Sequence, residues 1–264
     1  MTAEWRILEV AWNPATPWFG DRRVRRAMGW AFDHARLLDT LCHGTASPGT
    51  AMLPPDSSPS AGRRAEACRQ DLDRAEALLD ESGWVDHDGD GVRDREIEGR
   101  RVSFEFTVLC DHRPFDVAVC TLLRDCLARV GVTCVVRAVE PGTLLDEFRA
   151  ARHDACLVSR GAAADPGAAE SLWATGGGRN HCGYSNPEVD RLFAEGRREA
   201  DRQRRNLVYG RIQEILAEDE PCTWLAWRRE CRCVSRRLGG RTTALRGAKH
   251  WSPGLSSVWL PTIE

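Results

Sequence analysis

The sequence predicts an α/β fold in which a mixed β-sheet is flanked by helices. The first reason is alternation. From residue 102, "VSFEFTVL", a helix at 114–130, "VTCVVRAV", a helix near 142–151 and "DACLVS" form a βαβαβ run. The second is composition. The 264 residues are 42% hydrophobic and 29% charged with a formal net charge of -2, which suits one large globular domain or two small ones. That balance excludes both a disordered tail and a globally basic nucleic-acid binder.

Each element has its own signal. "RILEVAW" reads as a strand. "DRRVRRAMGWAFDHARLLDTLC" reads as one helix capped by Asp21, with Val24, Ala27, Met28, Ala31, Leu38, Leu41 and Cys42 along a single stripe. Residues 44–62 are a Pro/Gly/Ser-rich connection without periodicity. "DLDRAEALLDESGW" is a short helix stopped by Gly83. In the 114–130 helix, Phe115, Val119, Leu122, Cys126 and Val130 face inward. Residues 160–181 lack a period and suit a loop at the carboxyl end of a strand, where open α/β sheets hold ligands. Two amphipathic helices follow. One opens on Asn186 and Pro187, and the other stops before Pro221. "CTWLAWRRECRCVS" continues in strands and turns.

The stretch "WVDHDGDGVRDREIEG" resembles the first part of a calcium loop, with Asp86, Asp88 and Asp90 at positions one, three and five, Gly91 at six and Asp94 at nine. Position twelve is Ile97, so the bidentate carboxylate that closes such a loop is missing. A strand pattern follows where a second helix would be needed, and Asp and Gly are also what a tight turn requires. The expectation is a polar turn, with those four aspartates as weak calcium candidates.

Eleven cysteines show no Cys-x-x-Cys pair, and most read as small core hydrophobes. The neighbours Cys42–His43 and His181–Cys182 leave a thiol enzyme open as an alternative, but no esterase elbow, phosphate loop or dinucleotide fingerprint is present. Arginine-rich runs alternate with apolar residues at helical spacing and read as solvated helix faces, with no nucleic-acid partner expected. The amino terminus lacks an apolar run of signal-peptide length.

Four separated segments, "FGDRRVRRAMGWAFDHARLL", "DLDRAEALLDESGWVDHDGDGVRD", "GYSNPEVDRLFAEGRREAD" and "YGRIQEILAEDEPCTWL", resemble in order the family 5 extracellular solute-binding proteins of bacterial ABC importers, the peptide and nickel binders. The resemblance implies a periplasmic-binding-protein-like lobe. Residues 1–235 would be the second lobe, and residues 236–264 would return to a first lobe that this chain lacks. Trp251, Val258, Trp259 and Leu260 could then form exposed apolar surface or a docking face. The implied function is binding, not catalysis: a monomer outside the cytoplasm captures a small solute or short peptide, without a cofactor, and presents it to a membrane permease. One open wall alone is expected to bind solute poorly. A ligand-sensing domain of a cytoplasmic regulator is the other alternative.

The same resemblance implies a ligand wall of Ser159, Arg160, Gly161, Ala162, Asp165, Trp173 and Asn180, with Tyr184 a weaker candidate. Aligning Asp165–Pro166 on the family's acidic-Pro step puts Ala162 where peptide binders carry the aspartate for a ligand's amine. A free amine would find no counter-ion there, unless Asp165 substitutes.

Overall fold

The computed structural model describes residues 5–50, 52–54, 69–161 and 165–229, together with the backbone of strands 243–244 and 247–251. Strand β1 (Trp5–Trp12) is followed by α1 (Arg22–Ala31), the short α2 (His34–Arg36) with a π-helical turn at Leu37–Leu41, β2 (Ala46–Pro48) and α3 (Leu72–Glu81). A hairpin of β3 (Asp94–Ile97) and β4 (Arg100–Ser103) precedes β5 (Glu105–Asp111), α4 (Pro114–Ala128), β6 (Thr133–Val139), α5 (Pro141–Arg149) and β7 (Ala155–Gly161). A 3-10 turn at Pro166–Ala169 leads through α6 (Glu170–Trp173) to α7 (Pro187–Arg198), α8 (Arg202–Asp219) and β8 (Cys222–Arg229). The backbone pair β9 (Thr243–Ala244) and β10 (Gly247–Trp251) comes last.

Six strands form the central sheet in the order β2-β8-β1-β7-β5-β6. β1 runs antiparallel to both β7 and β8, while β5 is parallel to β6 and β7. Period-two alternation along β1 sends Leu8, Val10 and Trp12 into a core under α1, α3 and α4, and Trp5 and Ile7 into a second core under α7 and α8. Between Leu8 and Glu9 the β1–β8 register shifts, leaving Leu225 as an extra residue on β8. The bulge changes the phase of β8, so Trp224 and Trp227 both enter the second core while Leu225 and Ala226 enter the first.

The expected sheet segments are present, with three shifts. The helix from residue 21 does not run through to 42. Phe32 takes an extended conformation, and the Asp33 side chain accepts from the Arg36 amide, so a second cap competes with continuation of the helix. The strand at 102–109 divides at Phe104, whose N–H donates to Arg93 O and whose carbonyl accepts from Thr133 N. Residues 102–103 belong to the hairpin and 105–111 to the central sheet. The 44–62 connection also contributes β2 to the sheet edge. Its neighbour Gly49 passes so close to β8 that a Cβ would lie 2.7 Å from Ala226 N, which explains a glycine there. Asp21, Asp71, Asn186 and Asp201 each accept from an amide in the first turn of their helices, and Gly83 closes α3 at φ +82°. Trp251, Val258, Trp259 and Leu260, offered above as docking surface, lie outside the residues whose side chains are described.

The two layers are joined by a buried arginine. Arg25 on α1 donates to the carbonyls of Phe19 and Gly20 at 2.8 and 3.1 Å, and to those of Asp219 and Glu220 at the end of α8. Arg25→Met would keep the volume and leave four carbonyls short of a donor. We expect a loss of about 3 kcal/mol, measured by urea unfolding; a loss below about 0.5 kcal/mol would show that water replaces the clamp.

Candidate functional site

Because β1 is antiparallel to β7 and β8, strands β5, β6, β7 and β8 all end on one side of the sheet, where open α/β sheets bind ligands. A cleft of about 1370 Å³ lies there. Its wall comes from Asp111 and Arg113 after β5, from Leu144, Phe148 and Arg149 of α5, from Val158, Ser159 and Arg160 at the end of β7, and from Arg228 and Arg229 at the end of β8. Arg6 at the start of β1 and Arg179 and His181 from the long loop complete it. Arg113 joins Asp111 and Asp116 at 2.9 Å each. Burial pushes the Asp116 carboxyl above its usual range, and the Arg113 charge opposes that shift. Burial first, then the charges of Arg149, Arg160 and Arg179, hold the His181 imidazole below its ordinary value, so it is neutral at pH 7.

The end of β7 is only half paired. The β5–β7 ladder stops at Leu109↔Cys156, while β1 follows β7 to Gly161. The Asn13 amide donates to Asp154 O, which fixes the phase of the antiparallel β1–β7 ladder. In that phase Val158 and Arg160 bond to β1, whereas Ser159 and Gly161 turn their N–H and C=O groups away from it. Among the described residues no strand covers that edge. Arg6 Nη2 reaches the outward Ser159 carbonyl at 3.0 Å, and Arg6 Nε reaches Ser159 Oγ at 3.4 Å.

Behind this edge is a buried ion pair. Glu9, in the middle of β1 and 1% exposed, contacts the Arg160 guanidinium through its Oε1 and lies 3.6 Å from the Cys222 thiol through Oε2. Arg160 also covers the Trp173 ring at 5.1 Å. The pair borders a cavity of about 50 Å³ floored by Trp224 and Trp227, and Arg160 separates this cavity from the larger cleft.

Of the residues singled out from the sequence, Ser159 and Arg160 line the cleft, and Gly161 lies on the free edge and borders the small cavity. Ala162 lies outside the described residues. Asp165 caps the 3-10 turn through Gly167 N and pairs with Arg205 at 2.8 Å, which holds its carboxyl below the usual range. Trp173 is buried against Tyr184 and Trp224. Asn180 gives its amide to the Ala174 and Tyr184 carbonyls and accepts from Tyr184 N, and the Tyr184 hydroxyl donates to Asp219. Both therefore organise the loop beside the cleft. Asp86, Asp88 and Asp90 are exposed, with one ligand oxygen each within 4.8 Å of the others. The Asp86 carboxylate already accepts from Gly89 and Gly91 N–H groups, with Gly89 the main cause of its lowered pKa. Asp94 sits apart, buried between His87 and Arg101, and Ile97 pairs with Arg100 in the hairpin. In both Cys–His neighbours the thiol is buried, which pushes Cys42 and Cys182 up, opposite to what a nucleophile needs.

Comparison with known proteins matches residues 2–181 to the middle region of the bacterial extracellular solute-binding proteins, family 5. The chain belongs to this family. Protein XP55 of Streptomyces lividans is 30% identical over 233 residues, covering 86% of this chain and 41% of that protein. The oligopeptide-binding protein AppA of Bacillus subtilis is 25% identical over 230 residues, covering 82% and 40%. The solved structure of Bacillus subtilis AppA in complex with a nonapeptide superposes with a TM-score of 0.88 at 20% identity, over 99% of this chain and 52% of that one. NikZ of Campylobacter jejuni in complex with Ni(L-His) superposes at 0.75, with 21% identity, over 89% and 47%. These neighbours establish a periplasmic-binding-protein fold, and the chain spans about two fifths of the length of the curated relatives it matches. No helix among the described residues is long and apolar enough to cross a membrane.

In this family 5 chain, sequence reasoning missed Arg6, Glu9, Arg149 and Arg179. Glu9 left a signal: an acidic residue inside the apolar run "ILEVAW" needs a buried counter-ion. Glu9→Leu would strand the Arg160 charge, at a cost of about 3–5 kcal/mol. The double variant Glu9→Leu/Arg160→Met removes both charges and is expected to recover most of that loss in urea unfolding. Equal instability of the single and double variants would contradict the pairing.

Proposed function

We propose that this chain forms one wall of a cleft that captures a short peptide-like solute for an ABC importer, outside the cytoplasmic membrane and as a monomer. Residues 1–235 would form the lobe that carries the sheet, with 236–264 as a separate segment. The observation that carries the reading is the edge of β7 that no strand among the described residues covers, where Ser159 lines the cleft and Gly161 continues the edge beside the small cavity. An extended peptide adds to such an edge as a further strand, and affinity then comes from main-chain bonds that do not depend on its sequence. The names of AppA, an oligopeptide-binding protein, and of the di/tripeptide-binding proteins of Pseudomonas aeruginosa agree with a peptide ligand.

Gly161→Pro tests this directly. The Gly161 N–H is not used by the β1 ladder, and a Cβ there meets nothing within 4 Å, so proline removes one outward donor without breaking the strand. Losing one backbone bond is worth about 1–1.5 kcal/mol, so affinity for a tripeptide should fall on the order of tenfold. NMR titration reads this at the weak affinities expected of a single wall, and circular dichroism reports retention of the fold. Unchanged affinity in a folded variant would remove the strand edge from the binding site.

A further inference from the structure

The cleft is much more basic than the chain, whose formal net charge is -2. Seven arginines line it against two aspartates. Arg113 pairs with both Asp111 and Asp116 and offsets one of their two charges, and Arg160 balances Glu9. Arg6 is engaged by Ser159, and Arg228 lies over the Phe115 ring at 4.1 Å. Stacking on a ring does not neutralise a guanidinium. Arg149 and Arg179 have no ion pair or side-chain hydrogen bond among the described residues, and they flank His181 with Arg160 between β7 and the loop.

A basic corner of this kind on a convex surface would be solvated and carry nothing. Here it is the wall of a concavity, where low-dielectric surroundings focus the field and like charges repel until an anion joins them. Arg160 adds a second feature. Its side chain is 11% exposed, its Nε is buried with no partner among the described residues, and the side chain borders the cleft. A zwitterionic peptide brings one carboxylate and one ammonium, and so no net charge to offset this corner.

Resting on the peptide-like reading above, we propose that the solute is net anionic, and that Arg149, Arg160 and Arg179 form a subsite for an additional carboxylate, such as the side chain of an acidic residue in a short peptide. Arginine suits this role because its planar fork meets a carboxylate through two parallel N–H···O bonds.

The test is NMR titration of the 264-residue chain with Ala-Ala-Ala, Ala-Glu-Ala and Ala-Lys-Ala, whose termini are identical, so that only the side-chain charge differs. Citrate serves as a non-peptide carboxylate. The expected order is Ala-Glu-Ala tightest, by on the order of tenfold over Ala-Ala-Ala, with Ala-Lys-Ala weakest and the spread shrinking as salt is added. In the Arg149→Gln/Arg179→Gln double variant the Glu-to-Ala preference should fall towards one; both residues are exposed, and a thermal melt checks that the fold persists. Equal binding of the three peptides, or a preference that survives in the folded double variant, overturns the subsite while leaving peptide capture standing. Binding of citrate without any peptide keeps the anion subsite and overturns the peptide reading. Binding of neither overturns both.

Discussion

The carboxylate of Glu9 is the constraint around which this end of the molecule is organised. It lies in the middle of a strand paired on both sides, with apolar residues above and below, so it cannot be ionised there without a cation. Arg160 supplies that cation from the far end of β7. The demand holds the last residues of β7 against β1 after β5 has diverged, and so keeps the strand extended where only one of its edges is covered. The same guanidinium rests on Trp173, which ties the loop after β7 to the second core. One ion pair thereby sets the strand edge, the loop position and the boundary between the two cavities.

Around that edge the sheet determines what the cleft contains. Four strands ending on one side bring their terminal residues together, and the antiparallel β1 brings its first residues to the same place. Arg6, Arg160, Arg228 and Arg229 come from three strands and meet only because of this topology. The local chemistry is consequently opposite in sign to the chain average. In the proposed function, the backbone groups supply general affinity for an extended ligand and the arginines bias which ligand is held.

Much of the fold was legible because its signals are local. Asp21, Asn186, Pro187 and Gly83 mark helix ends by chemistry within a few residues, and strands β5, β6 and β7 carry apolar runs of strand length. The helix break at Phe32 was hidden because Leu38 and Leu41 continue the stripe of the preceding helix, although Asp33 carried the cap signal. The bulge at Leu225 and the pairing of β2 depend on register with distant strands, which no local pattern reveals. For the site, the family resemblance pointed to Ser159, Arg160 and Gly161, and the structure places the first two in the cleft wall and Gly161 at the strand end beside it. Arg149 and Arg179 were missed, since each looks like an ordinary surface arginine until the topology places it beside a concave wall. Trp173 and Asn180 show the converse: residues suited to ligand contact were used to pack and fasten the loop.

The most direct measurement is amide hydrogen exchange along β7. In the free chain, Ser159 and Gly161 should exchange markedly faster than Val158 and Arg160, whose amides bond to β1, and addition of a short peptide should slow Ser159 and Gly161 selectively. Equal protection of all four amides without ligand, or no change on adding peptides that bind, would contradict the account of an open strand edge that receives the solute.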